Sequence, residues 1–313
     1  MRNIQRWLLA AVMLGLSLNA NPAFSWNAER LATPLVIDEM VVPYPEFAIY
    51  VMPGQMFSVH FKDAQQGGRL TFGGADMAVG SAPLTAPNTP GVYPLAITNT
   101  RGGESARINV FVLTPATAVN KQGELNGYRI GSYPAKPLHN NAIYLPPKGF
   151  VEVTEANMQV RLSPNFTLGQ FVSKQAQGFP KYVLLRPQLL LKLENILAEL
   201  NRQGHATDGF VIMSGYRTPW YNKAIGNVPY SRHVWGGASD IFIDDNPKDG
   251  VMDDLNGDGK INRADAQWLA AFIDTMSRGG AFGPRIGGLG VYGSNSAHGP
   301  FVHVDVRGNR ARW

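Results

Sequence analysis

The sequence predicts an α+β domain preceded by a smaller all-β domain. Three observations carry this. Up to about Pro115 the chain reads as short alternating apolar and polar runs broken by Gly, Pro and Asn, which is the pattern of half-buried strands. Leu189, Leu190, Leu193, Ile196, Leu197 and Leu200 then recur at helical spacing over 187–202. Strand-like runs follow that helix and end in the strictly alternating Phe301-Val-His-Val-Asp305. A helix followed by strands and loops is the signature of an α+β layer. With 44% of the residues hydrophobic, a packed core is expected rather than disorder.

The elements follow in chain order. Arg2 and Arg6 give a short basic start, and Trp7–Leu18 is an apolar run too short for a comfortable membrane span. Ala23 and Ser25 place small residues before Trp26, so residues 1–25 read as a secretory signal peptide and the protein as periplasmic or secreted, with no membrane attachment after signal removal. Removal of Arg2 and Arg6 lowers the formal charge from +5 to +3, which is mild. With no dense Lys/Arg run and no interleaved aromatic pattern, nucleic acid is not expected as a partner. The chain contains no cysteine, which excludes a lipid-anchored cysteine, disulfide staples, a thiol nucleophile and thiolate metal ligands.

Residues 26–115 carry the strand-like runs Phe47–Val51, Gln55–Phe61, Gly91–Ile97 and Ala106–Leu113, with Pro53-Gly54 and Asn99–Gly103 as turns. Pro90-Gly-Val-Tyr-Pro-Leu-Ala-Ile97 resembles the late strands of bacterial immunoglobulin-like modules, which implies an immunoglobulin-like spacer or binding domain. Residues 116–162 read as a polar linker and a small Pro- and aromatic-rich β subdomain. From 163 the texture changes. Thr167-Leu-Gly-Gln170 has the spacing of a capping box opening a helix. Pro187 and Gly204 punctuate the amphipathic helix, and Phe210–Met213 reads as a strand leading into Ser214-Gly-Tyr-Arg217.

The chemistry concentrates in Ser231-Arg-His233-Val-Trp-Gly236-Gly-Ala238-Ser-Asp240 and in the last strand. Imidazole and carboxylate are good zinc ligands, and three of them with an open fourth position make a catalytic zinc site. Gly236 and Gly237 permit a tight path after His233, and Asp240 reads as a strand start. On the last strand Val302, Val304 and Val306 share one face, leaving His303, Asp305 and Arg307 on the other. Tyr216, Trp220, Tyr221 and Trp235 cluster near these motifs, either as stacking surface for a peptide or sugar or as core.

These residues resemble the D-alanyl-D-alanine zinc metallopeptidase family, which includes DD-carboxypeptidases, vancomycin-resistance dipeptidases, phage endolysins and periplasmic murein endopeptidases. The resemblance spans about Phe166 to Trp313 and rests on Ser-x-His-x-x-Gly-x-Ala-x-Asp, Ser214-Gly-Tyr-Arg217 and Phe301-Val-His303. It implies Zn2+ on His233, Asp240 and His303, with Arg217 contacting the substrate or its polarised carbonyl oxygen. One departure stands out. Many relatives place an acidic general base three residues before the last histidine, where this chain has Pro300, and some place a histidine two before, where it has Phe301. Asp305 and His298 are the remaining candidates, Asp305 either as base or as a carboxylate orienting a ligand.

Asp254-Leu-Asn256-Gly-Asp258-Gly259-Lys260-Ile-Asn262-Arg-Ala-Asp265 has the spacing of an EF-hand-like calcium loop. Oxygen ligands fall at positions one, three, five, nine and twelve, with the Lys260 carbonyl at seven, inside an insertion over 244–265. The expectation is therefore an exported α+β zinc peptidase domain (163–313) with an N-terminal all-β immunoglobulin-like domain. It would hold Zn2+ and Ca2+ and hydrolyse peptidoglycan stem peptides or crosslinks, an endopeptidase being favoured. The alternatives are a DD-carboxypeptidase releasing D-Ala and a non-catalytic cell-wall-binding protein retaining the zinc fold.

Overall fold

The computed structural model describes residues 25–313, so the signal peptide expected over 1–25 lies, apart from Ser25, outside the described residues. The architecture is mixed α+β with sheet predominating. Residues 35–112 are all β. A five-stranded sheet runs in the order Glu46–Val51, Ser105–Val112, Gly91–Asn99, Gly68–Phe72, Ala75–Ala78, and a three-stranded sheet in the order Met40–Val42, Leu35–Ile37, Val59–Phe61. Glu46–Val51 pairs parallel with Ser105–Val112, while the other ladders of that sheet are antiparallel. Alternation in Leu95, Ile97, Ile108 and Val110 sends apolar side chains to one buried face.

The segment expected as a linker and subdomain is tied to both neighbours. Gly149–Val153 pairs antiparallel with Thr114–Pro115 on one side and with Lys181–Val183 on the other. The capping box at Thr167 and Gln170 forms, but it opens only a single 3-10 turn, Leu168–Phe171, rather than a longer helix. Leu168 and Phe171 are both buried, and the following Val172–Gly178 offers no apolar stripe to extend the helix.

The C-terminal region is built on helix α1, Pro187–Arg202, and a five-stranded sheet. Its strands are β1 Val211–Ser214, β2 Ala238–Phe242, β3 Gly288–Tyr292, β4 Phe301–Asp305 and β5 Ala311–Arg312. They lie in the order β1-β2-β4-β3-β5, antiparallel except for the β3/β5 pair. A short helix α2, Pro219–Ala224, follows β1, and α3, Arg263–Arg278, packs on β3 and β4 through Ala266, Leu269 and Ile273. Pro187 at the first turn suits α1, since its missing N–H would be unpaired there, and Gly204 with φ +87° follows its end.

The apolar stripe of α1 is buried, and so are two polar residues within it, Lys192 and Glu194. Glu194 accepts from the backbone N–H and the side-chain amide of Asn165. Lys192 Nζ donates to the Asp305 carbonyl at 2.8 Å and lies 4.7 Å from the Phe282 ring centroid. This bond fixes the end of β4 to the helix. Burial lowers the Lys192 pKa from 10.5 to about 8, with the charge of Asp305 opposing. A lysine depressed in the folded state makes folding less favourable while it is charged, and that cost disappears as pH rises from about 8 to 10.5. Relative to Lys192→Met, the wild type should therefore gain roughly 3 kcal/mol over this window. Urea unfolding of both proteins across the window checks this; parallel stability curves would refute it.

Candidate metal centre and cleft

The ladder places two of the three expected ligands. Asp240 and His303 are direct partners across the β2/β4 pair, so their side chains leave the same face as neighbours. Asp240 is central in β2 rather than at its start, because the strand begins at Ala238. His233 comes from the 3-10 turn Arg232–Trp235, which Gly236 ends in the left-handed region at φ +63°. A Cβ at Gly236 would stand 2.3 Å from the Leu184 carbonyl oxygen, so only glycine lets the loop close onto the segment before α1.

The three side chains are buried and meet as one group. His233 Nε2 lies 3.1 Å from Asp240 Oδ1 and 3.1 Å from His303 Nδ1, and His303 Nδ1 lies 2.9 Å from Asp240 Oδ1. The outer hydrogen bonds set the tautomers. His233 Nδ1 is 2.7 Å from the Gly215 carbonyl, which can only accept, so Nδ1 carries the hydrogen. His303 Nε2 is 3.2 Å from Asp305 Oδ2 and donates to it. Two nitrogen lone pairs and a carboxylate oxygen therefore face one point with no hydrogen between them. Such a triangle is repulsive unless a cation occupies it, and its edges suit zinc, whose bonds to these atoms are about 2.0–2.2 Å. The donor set fits the metal.

The surrounding electrostatics agree. Burial holds the His233 pKa below its ordinary value, favouring the neutral imidazole. Burial also opposes charge on His303, but the neighbouring Asp240 and Asp305 carboxylates outweigh it and raise the net value. For Asp240 and Asp305 burial pushes upward, yet the imidazoles, and for Asp305 also Arg307, hold both below the usual carboxylate range. The group attracts positive charge.

The other expected residues occupy distinct places. Arg217 donates through Nη2 to Asp240 Oδ2 and through Nε to Ser214 Oγ at 2.7 Å; Nη1 makes no hydrogen bond among the described residues. Asp305 lies behind His303 with both oxygens engaged. Oδ1 accepts from the Gly288 and Arg307 backbone N–H groups, and Oδ2 from His303 and the Arg307 guanidinium. At 0% exposure it cannot reach a proton in the cleft without giving up a partner. This geometry suits the orienting alternative and not the base. His298 lines the same cleft, with Nδ1 bonded to the Gly299 carbonyl and Nε2 accepting from Asn295.

The cleft has a volume of about 1030 Å3 and draws on four parts of the chain, including Leu138 and Tyr144 of the segment that sequence reasoning left without a role. Of the aromatic cluster, Tyr216 and Trp235 are core, Tyr221 lines the cleft, and Trp220 is exposed with Arg129 over its ring. Three roles were not assigned from the sequence. Arg307 locks Asp305, Trp313 covers the His303 ring at 5.2 Å, and Arg232 is buried in the cleft wall. Arg307 was visible as the next residue on the His303 face; nothing in the sequence marks Arg232.

The loop over 254–265, expected to hold calcium, turns its side-chain oxygens onto its own backbone. Asp254 accepts from the N–H groups of Gly257, Asp258 and Gly259, and Asp258 from that of Lys260. Asp265, wholly buried, accepts from Leu255, Asn256 and Asn262 and completes a capping box with Asn262 at the start of α3. The carboxylates thus serve backbone amides. Among the described residues the His233, Asp240, His303 set alone gathers three acidic or imidazole ligands at metal-holding distance.

Asp305→Asn keeps the shape but removes the charge behind His303. It should weaken zinc binding about 10–100-fold, measured by competition with a chromogenic chelator. Unchanged affinity would show that Asp305 does not orient the ligand.

Residues 164–256 match the family model described as Peptidase M15, a stretch that contains Arg217, His233 and Asp240 and ends before His303. No curated protein matches the chain. Residues 164–256 are thus similar to Peptidase M15 proteins, and the buried His233, Asp240 and His303 group could hold a metal ion.

Proposed function

We propose that the protein is an exported zinc endopeptidase acting on peptidoglycan stem peptides or crosslinks. The observation that carries the peptidase reading is the convergence of three lone pairs from His233, Asp240 and His303 at the floor of a large cleft. Zinc bound there would supply Lewis acidity, polarising a carbonyl and acidifying water. The chain's own residues do the rest. Arg217 holds Asp240 by one guanidinium nitrogen and keeps Nη1 for charge developing on the substrate oxygen. Asp305, fixed by Arg307 and Gly288, keeps His303 in the tautomer that presents Nδ1. With Asp305 enclosed, His298 is the remaining candidate to handle a proton in the cleft, once Asn295 releases its Nε2.

Peptidoglycan as substrate rests on the resemblance and on the signal-peptide reading of residues 1–25. A cleft lined by Tyr221, Tyr230, Tyr292 and Trp313 offers stacking surface on an extended peptide, which favours an internal bond. The N-terminal β region, read as immunoglobulin-like, would position the catalytic region on the wall. Among the described residues no helix is long and apolar enough to cross a membrane.

Purified protein should cleave crosslinked sacculi into products resolved by mass, lose activity on metal removal and regain it with zinc. His233→Ala and His303→Ala should be inactive, and Arg217→Ala should lower kcat about 10²–10³-fold. Release of free D-Ala alone would make it a carboxypeptidase, and intact sacculi bound without cleavage a wall-binding protein.

We also propose calcium for the 254–265 loop, supported by the spacing of Asp254, Asn256, Asp258, Asn262 and Asp265, the Lys260 carbonyl and the turn at Gly259, where φ is +77°. Calcium at a hundredfold excess over its Kd should then stabilise the fold by about 2.7 kcal/mol, and Asp254→Ala should abolish the effect. Identical melting curves with and without calcium would dismiss it.

A further inference from the structure

Arg232 immediately precedes His233, and among the described residues its charge has no ion-pair partner of its own, although Tyr144 and the already engaged Asp305 act on it favourably. It is 3% exposed, yet it belongs to the cleft wall. Among the described residues none of its three guanidinium nitrogens reaches a hydrogen-bond partner. Its Cζ lies 4.8 Å from the centroid of Tyr144, whose ring stands edge-on to Tyr230 and Trp235. The neighbouring Arg186 donates to the Trp235 and Ile143 carbonyls and offers no acceptor.

The carboxylates nearby are already taken. Asp305 is held by Arg307, Gly288 and His303, and Asp240 by Arg217 on Oδ2 while its Oδ1 faces the metal point. The charged side chains of the cleft are otherwise Arg217, Arg232 and Arg307, with Asp240 the sole acid among its lining residues. Magnitudes decide what this means. Leaving a buried charge unpaired costs several kcal/mol, whereas stacking on one tyrosine returns about 0.5–2 kcal/mol. The contact with Tyr144 therefore cannot be the reason for the charge. A partner arriving with a ligand can be, and a forked guanidinium is shaped for a carboxylate.

We propose that Arg232 is a substrate-recognition residue, binding a free carboxylate that the peptide bears close to the bond presented at the metal centre. This rests on the peptidase reading, which sets what the cleft holds. The carboxylate can be the peptide's C-terminal group or one borne on a side chain, and the two are separable.

The test uses the full, zinc-loaded chain and three versions of a stem pentapeptide: the free acid, its C-terminal amide, and a form with the side-chain-borne carboxylate amidated. Binding is measured by calorimetry and cleavage by mass. One of the amidations should weaken wild-type binding about 10–100-fold, and which one does so identifies the source. Arg232→Gln should bind the free acid as weakly as the wild type binds that amide, and should no longer distinguish them. Its melting temperature should be no lower than that of the wild type, because an unpaired buried charge has been removed. Equal wild-type binding of all three peptides overturns the proposal, as does discrimination retained by Arg232→Gln. Should that variant not fold, Arg232→Met replaces it, and failure of both to fold would make Arg232 structural and overturn the idea. Cleavage without discrimination sinks this inference alone. Discrimination that depends on Arg232 without cleavage leaves it standing and removes the peptidase reading.

Discussion

The β2/β4 ladder is the constraint on which the site depends. Pairing Asp240 with His303 brings a carboxylate oxygen and a ring nitrogen within 2.9 Å in the buried wall of the cleft. A one-residue slip of β4 would turn His303 to the opposite face, away from Asp240. The valines of β4 guard against that slip, since Val302 and Val304 are fully buried and would have to trade places with His303 and Asp305. The same alternation that fills the core thus aims the ligands, and the third ligand needs only a tight loop to reach them.

Around this pair the polar groups form closed shells rather than a gradient to solvent. His303 leans on Asp305, Asp305 on Arg307 and Gly288, and the Asp305 carbonyl on Lys192 of α1. Asp240 leans on Arg217, and Arg217 on Ser214. Each charge in these chains has an opposite or a hydrogen bond, which is the condition for tolerating charge in a low-dielectric interior. Arg232 breaks that rule within the same wall, which is why it reads as a group awaiting a ligand.

How much of this was legible follows from where the signal is stored. The ligand residues and the α1 stripe were readable because residue type and spacing carry them directly. The role of Asp305 was ambiguous because a base and an orienting carboxylate look alike until the partners of both oxygens are known. The Thr167 capping box was read correctly as a cap, but a cap does not fix helix length, and burial of Leu168 and Phe171 ends it after one turn. Asp265 fits a calcium position by count, while the fold uses it to cap α3. Arg232 was illegible because its enclosure comes from Tyr144, a residue distant in sequence that packs there only once the 116–162 segment has folded.

That segment has a mechanical consequence. Read as a linker, it would let the N-terminal region swing freely. Gly149–Val153 is instead sewn between Thr114–Pro115 and Lys181–Val183, and the chain beyond that strand bonds to the metal loop, with Arg186 N–H donating to the Gly236 carbonyl. The connection behaves as a strut rather than a tether. Whatever touches the N-terminal region, the cleft is held at a set reach from it instead of sampling a volume around it.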